Sequence, residues 1–207
     1  MENVNSIIKL QSMVRGVLIR HKLRCLKDGM NVNILEKCIN VYNDTVRSEI
    51  SINETLKKKK IRISNFPSHI SENFAKFAIF KKYNIMPSWD TDKGDLVLSL
   101  NNFHTIRMEV KGSINLSNGP PTFGPTENWD YIYFVDGVDT FNKNYKVYEI
   151  QLSNTNELWK NLTVNKTQTF QDQCREKRRP RIIFRELQNQ LKTHCKLIFD
   201  GNISEFN

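Results

Sequence analysis

The segment from Gly94 to Gly112, GDLVLSLNNFHTIRMEVKG, carries two acids and an amine at a spacing that chemistry can use. Apolar residues alternate through it, Leu96, Leu98 and Leu100 in one run and Ile106, Met108 and Val110 in the next. That period predicts two antiparallel strands joined at Asn101-Asn102-Phe103. A three-residue turn sets Leu100 opposite His104 and Asp95 opposite Glu109. A two-residue turn would set Asp95 against Met108 and mix the polar and apolar faces, so the three-residue turn is expected. Lys111, two residues beyond Glu109, then projects from the same face as both acids. Carboxylates paired across a hairpin repel each other unless a cation sits between them. Their oxygens suit a hard divalent ion such as Mg²⁺, which keeps several waters and accepts a substrate phosphate oxygen into its shell. An ammonium beside it could orient or help deprotonate a metal-bound water and stabilise charge in a phosphorane-like transition state. The plainer alternative is that Asp95, Glu109 and Lys111 are the wet face of an ordinary antiparallel sheet.

Helices and further strands must hold this hairpin. Pro67-Ser68 precedes a helix over residues 69–83, with Phe74, Phe77, Ala78 and Phe80 on its buried face. After the hairpin, IYFVD is a nearly continuous apolar run and KVYEIQL alternates, giving four strands in close succession. Helices are expected over 154–162 and 168–178, and RIIF and CKLIF are strand or core candidates. Upstream, Ile7, Leu10, Val14 and Val17 mark a basic amphipathic helix over 6–27. Val32, Leu35, Ile39 and Val46 mark a second helix running towards the lysine block 57–60. The expected division is a helical N-terminal region, 1–60, and a catalytic domain, 61–207.

With 207 residues the chain suffices for one well-buried core and a helical appendage. No apolar run is long enough to cross a bilayer. Lys and Arg number 31 against 22 Asp and Glu, and the resulting net charge of +9 favours a polyanionic partner. Charge alone does not choose among DNA, RNA and anionic lipid. Cys25, Cys38, Cys174 and Cys195 form no CxxC pair and no Cys/His cluster at zinc spacing. A reducing, intracellular compartment is expected, and the opening residues do not have the pattern of a secretory signal.

Gly94-Asp95 followed by Glu109-Val110-Lys111 resembles the active-site pattern of the PD-(D/E)xK nuclease superfamily, with Gly where Pro is usual. FPSHISENFAKF, WDTDKGDLVL, EVKGS, NGPPTFGPTENWDYIYFVD and REKRRPRI resemble, in that order, small type II restriction endonucleases, over roughly residues 65–200. The resemblance implies an α/β fold with a mixed central β-sheet flanked by helices. It also implies Mg²⁺-dependent hydrolysis of both strands of double-stranded DNA at a short site, usually by a homodimer. By position, Asp95 and Glu109 become metal ligands and Lys111 the catalytic lysine. Glu72 matches an acid that in many such enzymes supports the metal or its water; an exposed acid near a helix N-terminus is its plain alternative. Asp90 and Asp92 compete with Asp95 for the ligand role, and Asp95 is preferred because it opens the alternating run.

The segment from Ser113 to Trp129 is rich in Gly, Pro, Ser and Asn and suits a stiff loop that approaches a ligand closely. Ser113, Asn118, Thr122 and Phe123 are its candidate DNA contacts. In REKRRPR, residues 175–181, Arg178, Arg179 and Arg181 are the candidate phosphate contacts, although a solvated helix end explains the same charges. Residues 10–16 with Arg20 resemble the IQ motif, so residues 7–24 fit a calmodulin-like partner. Packing on its own domain or against a second protomer explains the same stripe at least as well, and electrostatic attachment to DNA is a third reading. The rival functions are a structure-specific or repair nuclease using the same residues and a non-catalytic DNA-binding or calmodulin-binding protein.

Overall fold

The computed structural model describes residues 31–56, 60–90, 95–101, 104–116 and 121–206. The IQ-like segment 7–24 lies outside these residues, as do Asp92 and Asn118. Six strands form the main sheet: β1 (Ser88–Trp89), β2 (Leu96–Asn101), β3 (His104–Ser113), β4 (Tyr131–Asp136), β5 (Asn144–Ile150) and, last in the chain, β8 (Cys195–Asn202). They lie side by side in the order β1-β2-β3-β4-β5-β8. The β3–β4 pair is parallel and every other neighbouring pair is antiparallel, so the sheet is mixed and α/β as the resemblance implies. A separate ribbon pairs β6 (Thr163–Asn165) with β7 (Gln168–Thr169).

The hairpin has the expected register through its body, with Leu96 opposite Met108, Val97 opposite Arg107, Leu98 opposite Ile106 and Ser99 opposite Thr105. Its turn differs from expectation. Asn101 pairs with His104, and a register shift between Ser99 and Asn101 absorbs the odd residue. This bulge lets a short connection keep the polar and apolar faces separate, which a regular hairpin would not.

β4 reads as an unbroken apolar run because both sides of it are covered. Tyr133 and Val135 enter one core with α1 (Val32–Thr55) and α2 (Ser68–Tyr83); Leu35, Ile39, Phe74, Met108 and Val110 belong to the same cluster. Ile132 and Phe134 enter the opposite core with Phe123, Trp129 and Trp159. That second layer also holds α3 (Glu157–Lys160), α4 (Phe170–Arg175) and α5 (Phe184–Leu191). α1 begins where the Asn31 side chain accepts the Ile34 N–H at 3.0 Å.

The later helices are shorter than the sequence suggested. Thr169 and Asp172 form a reciprocal cap that fixes the start of α4, so residues 168–169 remain strand. RIIF is not a strand: Arg181 makes only an isolated bridge to Thr122, Ile182 is buried, and Phe184 opens α5. The Phe184 ring stacks on Phe134 at 3.5 Å, so packing rather than period decides that segment.

Buried polar groups tie α2 to the sheet. The Glu149 carboxylate, on β5, accepts hydrogen bonds from Tyr133 Oη at 2.7 Å and from Tyr83 Oη, at the end of α2, at 2.8 Å. His69, near the start of α2, has a buried Nε2 with no hydrogen-bond partner among the described residues, and burial lowers its pKa to about 4. As pH falls below 6.5 the unfolded chain takes up this proton while the native ring still resists it. Stability contributed by the neutral ring is therefore lost between about 6.5 and about 4. His69→Gln is expected to flatten the fall in urea-unfolding free energy across that window relative to the unmodified protein. Parallel pH profiles would assign the loss to other groups.

Candidate active site

Burial removes the reading of Glu109 and Lys111, on the internal strand β3, as a wet face. Glu109 is 6% exposed and the Lys111 side chain 16%. The Lys111 ammonium bonds directly to Glu109 Oε1. Asp95 lies one step before β2, and its N–H donates to the Met108 carbonyl at 3.2 Å. Its Oδ2 accepts the Val110 N–H at 2.7 Å, which fixes this carboxylate against β3 beside Glu109. The hairpin register, carried one residue further, therefore brings the two acids to one end of the strand pair. Burial, first, and the Asp95 charge, second, push the Glu109 pKa up to about 7; the Lys111 charge and hydrogen bond oppose them.

Asp95, Glu109 and Lys111 line one cleft of about 830 Å³. Glu72 lines it too and is buried, so it is not the exposed helical acid of the plain alternative. Its position depends on a close approach of α2 to β3. A Cβ on Gly112 would lie 2.6 Å from Ser71 Cβ and 2.8 Å from Phe66 Cδ1, so only glycine lets the first turns of α2 press on the strand there. Asp90 turns elsewhere: its Oδ2 lies 3.6 Å from Arg107 Nε, and it is not part of the cleft lining.

The parallel β3–β4 pair requires a crossover, which residues 114–130 supply with no helix among the described ones. Ser113 is buried, lines the cleft, and exchanges hydrogen bonds with the Asn115 backbone through its hydroxyl. Thr122 lines the cleft and bridges to Arg181, another lining residue; the Phe123 N–H donates to the Pro180 carbonyl at 3.0 Å. The loop and the end of the basic block thus form one rim. Phe123, expected as a DNA contact, is instead fully buried, with its ring packed on Trp129, Trp159 and Phe170. An aromatic in a Pro-rich loop satisfies either role in sequence, and here burial wins. Arg178 and Arg179 are exposed outside the cleft lining, and Arg178 donates to Gln168 and pairs with Glu176.

Arg62, Asn65 and Ser71 also line the cleft, and no sequence motif marks them. Their positions carry no periodic signal, because they become neighbours of β3 only when α2 docks. Among the described residues no three His, Cys, Asp or Glu side chains gather closely enough to hold a metal by themselves. Two carboxylates on one cleft nevertheless fit Mg²⁺, which takes few protein oxygens and completes its shell with water and substrate. The mutual repulsion of Asp95 and Glu109 is the feature that such a cation would relieve.

A family model described as Bsp6I restriction endonuclease matches residues 33–190, well over half of the chain. No curated protein and no solved structure shows a significant match. No described helix is long and apolar enough to cross a membrane.

Gly112→Ala is expected to lower unfolding stability by ~1–3 kcal/mol in urea titration, the usual cost of overpacking. Adding Ser71→Gly should recover part of that loss by removing the nearest contact. A Gly112→Ala protein as stable as the parent would contradict the close approach.

Proposed function

The chain belongs to the Bsp6I restriction endonuclease family, and on that premise we propose that it is a Mg²⁺-dependent type II enzyme of the PD-(D/E)xK kind, hydrolysing double-stranded DNA at a short specific site. The observation that carries this reading is the convergence of Asp95, Glu109 and Lys111 on one cleft. Asp95 and Glu109 would hold the ion, and Mg²⁺ bound there would supply Lewis-acid stabilisation of the phosphoryl oxygens and a more acidic water. Lys111 holds a cation against the scissile phosphate and orients the attacking water, and it stabilises the negative charge that grows in the transition state. Glu72, buried at the same cleft, would accept a hydrogen bond from the attacking water or support the ion. In-line attack leaves a 5′-phosphate and a 3′-hydroxyl.

The rim formed by Ser113, Thr122 and Arg181 faces the DNA, with Arg178 and Arg179 as outlying phosphate contacts. A net charge of +9 favours that polyanion. A homodimer would present two such clefts to the two strands of a palindromic site.

Lys111→Ala is expected to leave the melting temperature and duplex-DNA affinity near those of the parent while lowering cleavage of plasmid DNA in Mg²⁺ by at least about 100-fold. Undiminished cleavage by that variant would refute the assignment. Asp95→Asn should weaken Mg²⁺-dependent cleavage as well, and an unchanged rate would remove Asp95 from the ligand set. Sequenced ends from intact duplex should be discrete, whereas cutting confined to flaps, junctions or lesions would indicate a repair enzyme.

A further inference from the structure

The Lys111 ammonium has a second carboxylate beside it, one that does not line the cleft. Glu127 Oε2 lies 3.9 Å from Lys111 Nζ, while Glu109 bonds the same ammonium directly. The ring of Phe123 is 5.5 Å from that nitrogen, so the cation rests among two anions and an aromatic face.

Glu127 is delivered by a turn that is built for it. Its Oε2 accepts the Gly124 N–H at 2.6 Å, and its backbone carbonyl accepts from Asn154 Nδ2 at 2.7 Å. A Cβ on Gly124 would lie 2.4 Å from Glu127 Oε1 and 2.5 Å from its Cδ, so glycine vacates the space that the carboxylate occupies. On either side, Phe123 and Trp129 are anchored in the second core. The segment is therefore fixed at both ends, with its one acid directed at Lys111.

We propose that Glu127 is a positioning residue that holds the Lys111 ammonium in its working place. A lysine has a flexible four-carbon stem and a compact charge, so a single partner fixes it poorly. Glu109 is also the carboxylate read above as an ion ligand, and charge shared with an ion is less available to Lys111. Glu127 supplies a second anion that keeps the ammonium beside the cleft. This inference rests on the nuclease reading. Glu127 is not among the described residues that line the cleft, and its proposed action runs through Lys111.

The competing role is purely local, the closing of a turn through the Gly124 N–H. E127Q separates the two, because glutamine retains volume and an acceptor oxygen but removes the charge. Expected for E127Q is a fall of about tenfold in kcat on duplex DNA, the effect of one modest transition-state interaction. KM, the melting temperature, and duplex affinity in EDTA should remain at parental values. Parental kcat in E127Q would overturn the proposal. Should E127Q melt early, E127D decides: it keeps the charge while disturbing the turn, so its kcat should exceed that of E127Q. Equal kcat losses in both would overturn it. K111A measured alongside separates the two levels of inference. An inactive K111A with a fully active E127Q removes only the role of Glu127; a fully active K111A removes the nuclease assignment and this one together.

Discussion

Two acids held at one end of an internal strand pair are the constraint on which the proposed chemistry depends. Glu109 is buried on β3, and Asp95 is fixed beside it by the Val110 N–H, so their charges meet where water screens them poorly. The repulsion is strong enough, together with burial, to carry the Glu109 pKa up to about 7 even with Lys111 bonded to it. A fold that relied on these residues for stability would not place them so. The arrangement has a physical rationale when a divalent cation joins it, and belonging to a restriction endonuclease family supplies a reason for one.

Each surrounding element can be understood by what it contributes to that point. Gly112 lets α2 approach β3 within the width of a missing side chain, which brings Glu72 to the cleft. The Glu149 carboxylate, gripped by Tyr133 and Tyr83, fixes the far end of the same helix. On the other face, the crossover from β3 to β4 is pinned to Pro180 and Arg181, so the loop and the basic segment form a shared rim. Phe123 joins this rim to the second core and lies under the Lys111 ammonium. The same loop thus supplies both the surface of the cleft and the support behind it.

The period of the hairpin was legible in the sequence because alternation in β2 and β3 reports directly which side is buried, and it placed Asp95, Glu109 and Lys111 on one face. α2 was equally plain, since Phe74 and Ala78 recur at helical spacing, although Phe80, expected on the buried face, is exposed. The bulge near Leu100 was not, for apolar alternation is the same with or without it. Contacts between elements were also hidden. Glu127 reads as one more loop acid until Gly124 is seen to vacate space for it, and Phe123 reads as a ligand contact until three aromatic rings are found around it. Long-range docking, unlike local period, leaves no regular mark along the chain.

The most direct test is calorimetric titration of Mg²⁺ into the protein bound to duplex DNA carrying a non-hydrolysable linkage, with Glu109→Gln alongside. Binding by the parent and its loss in Glu109→Gln, with both proteins folded and DNA-bound, is the expected result. Equal Mg²⁺ binding by the two proteins, or none by the parent, would contradict a metal centre built on these opposed acids.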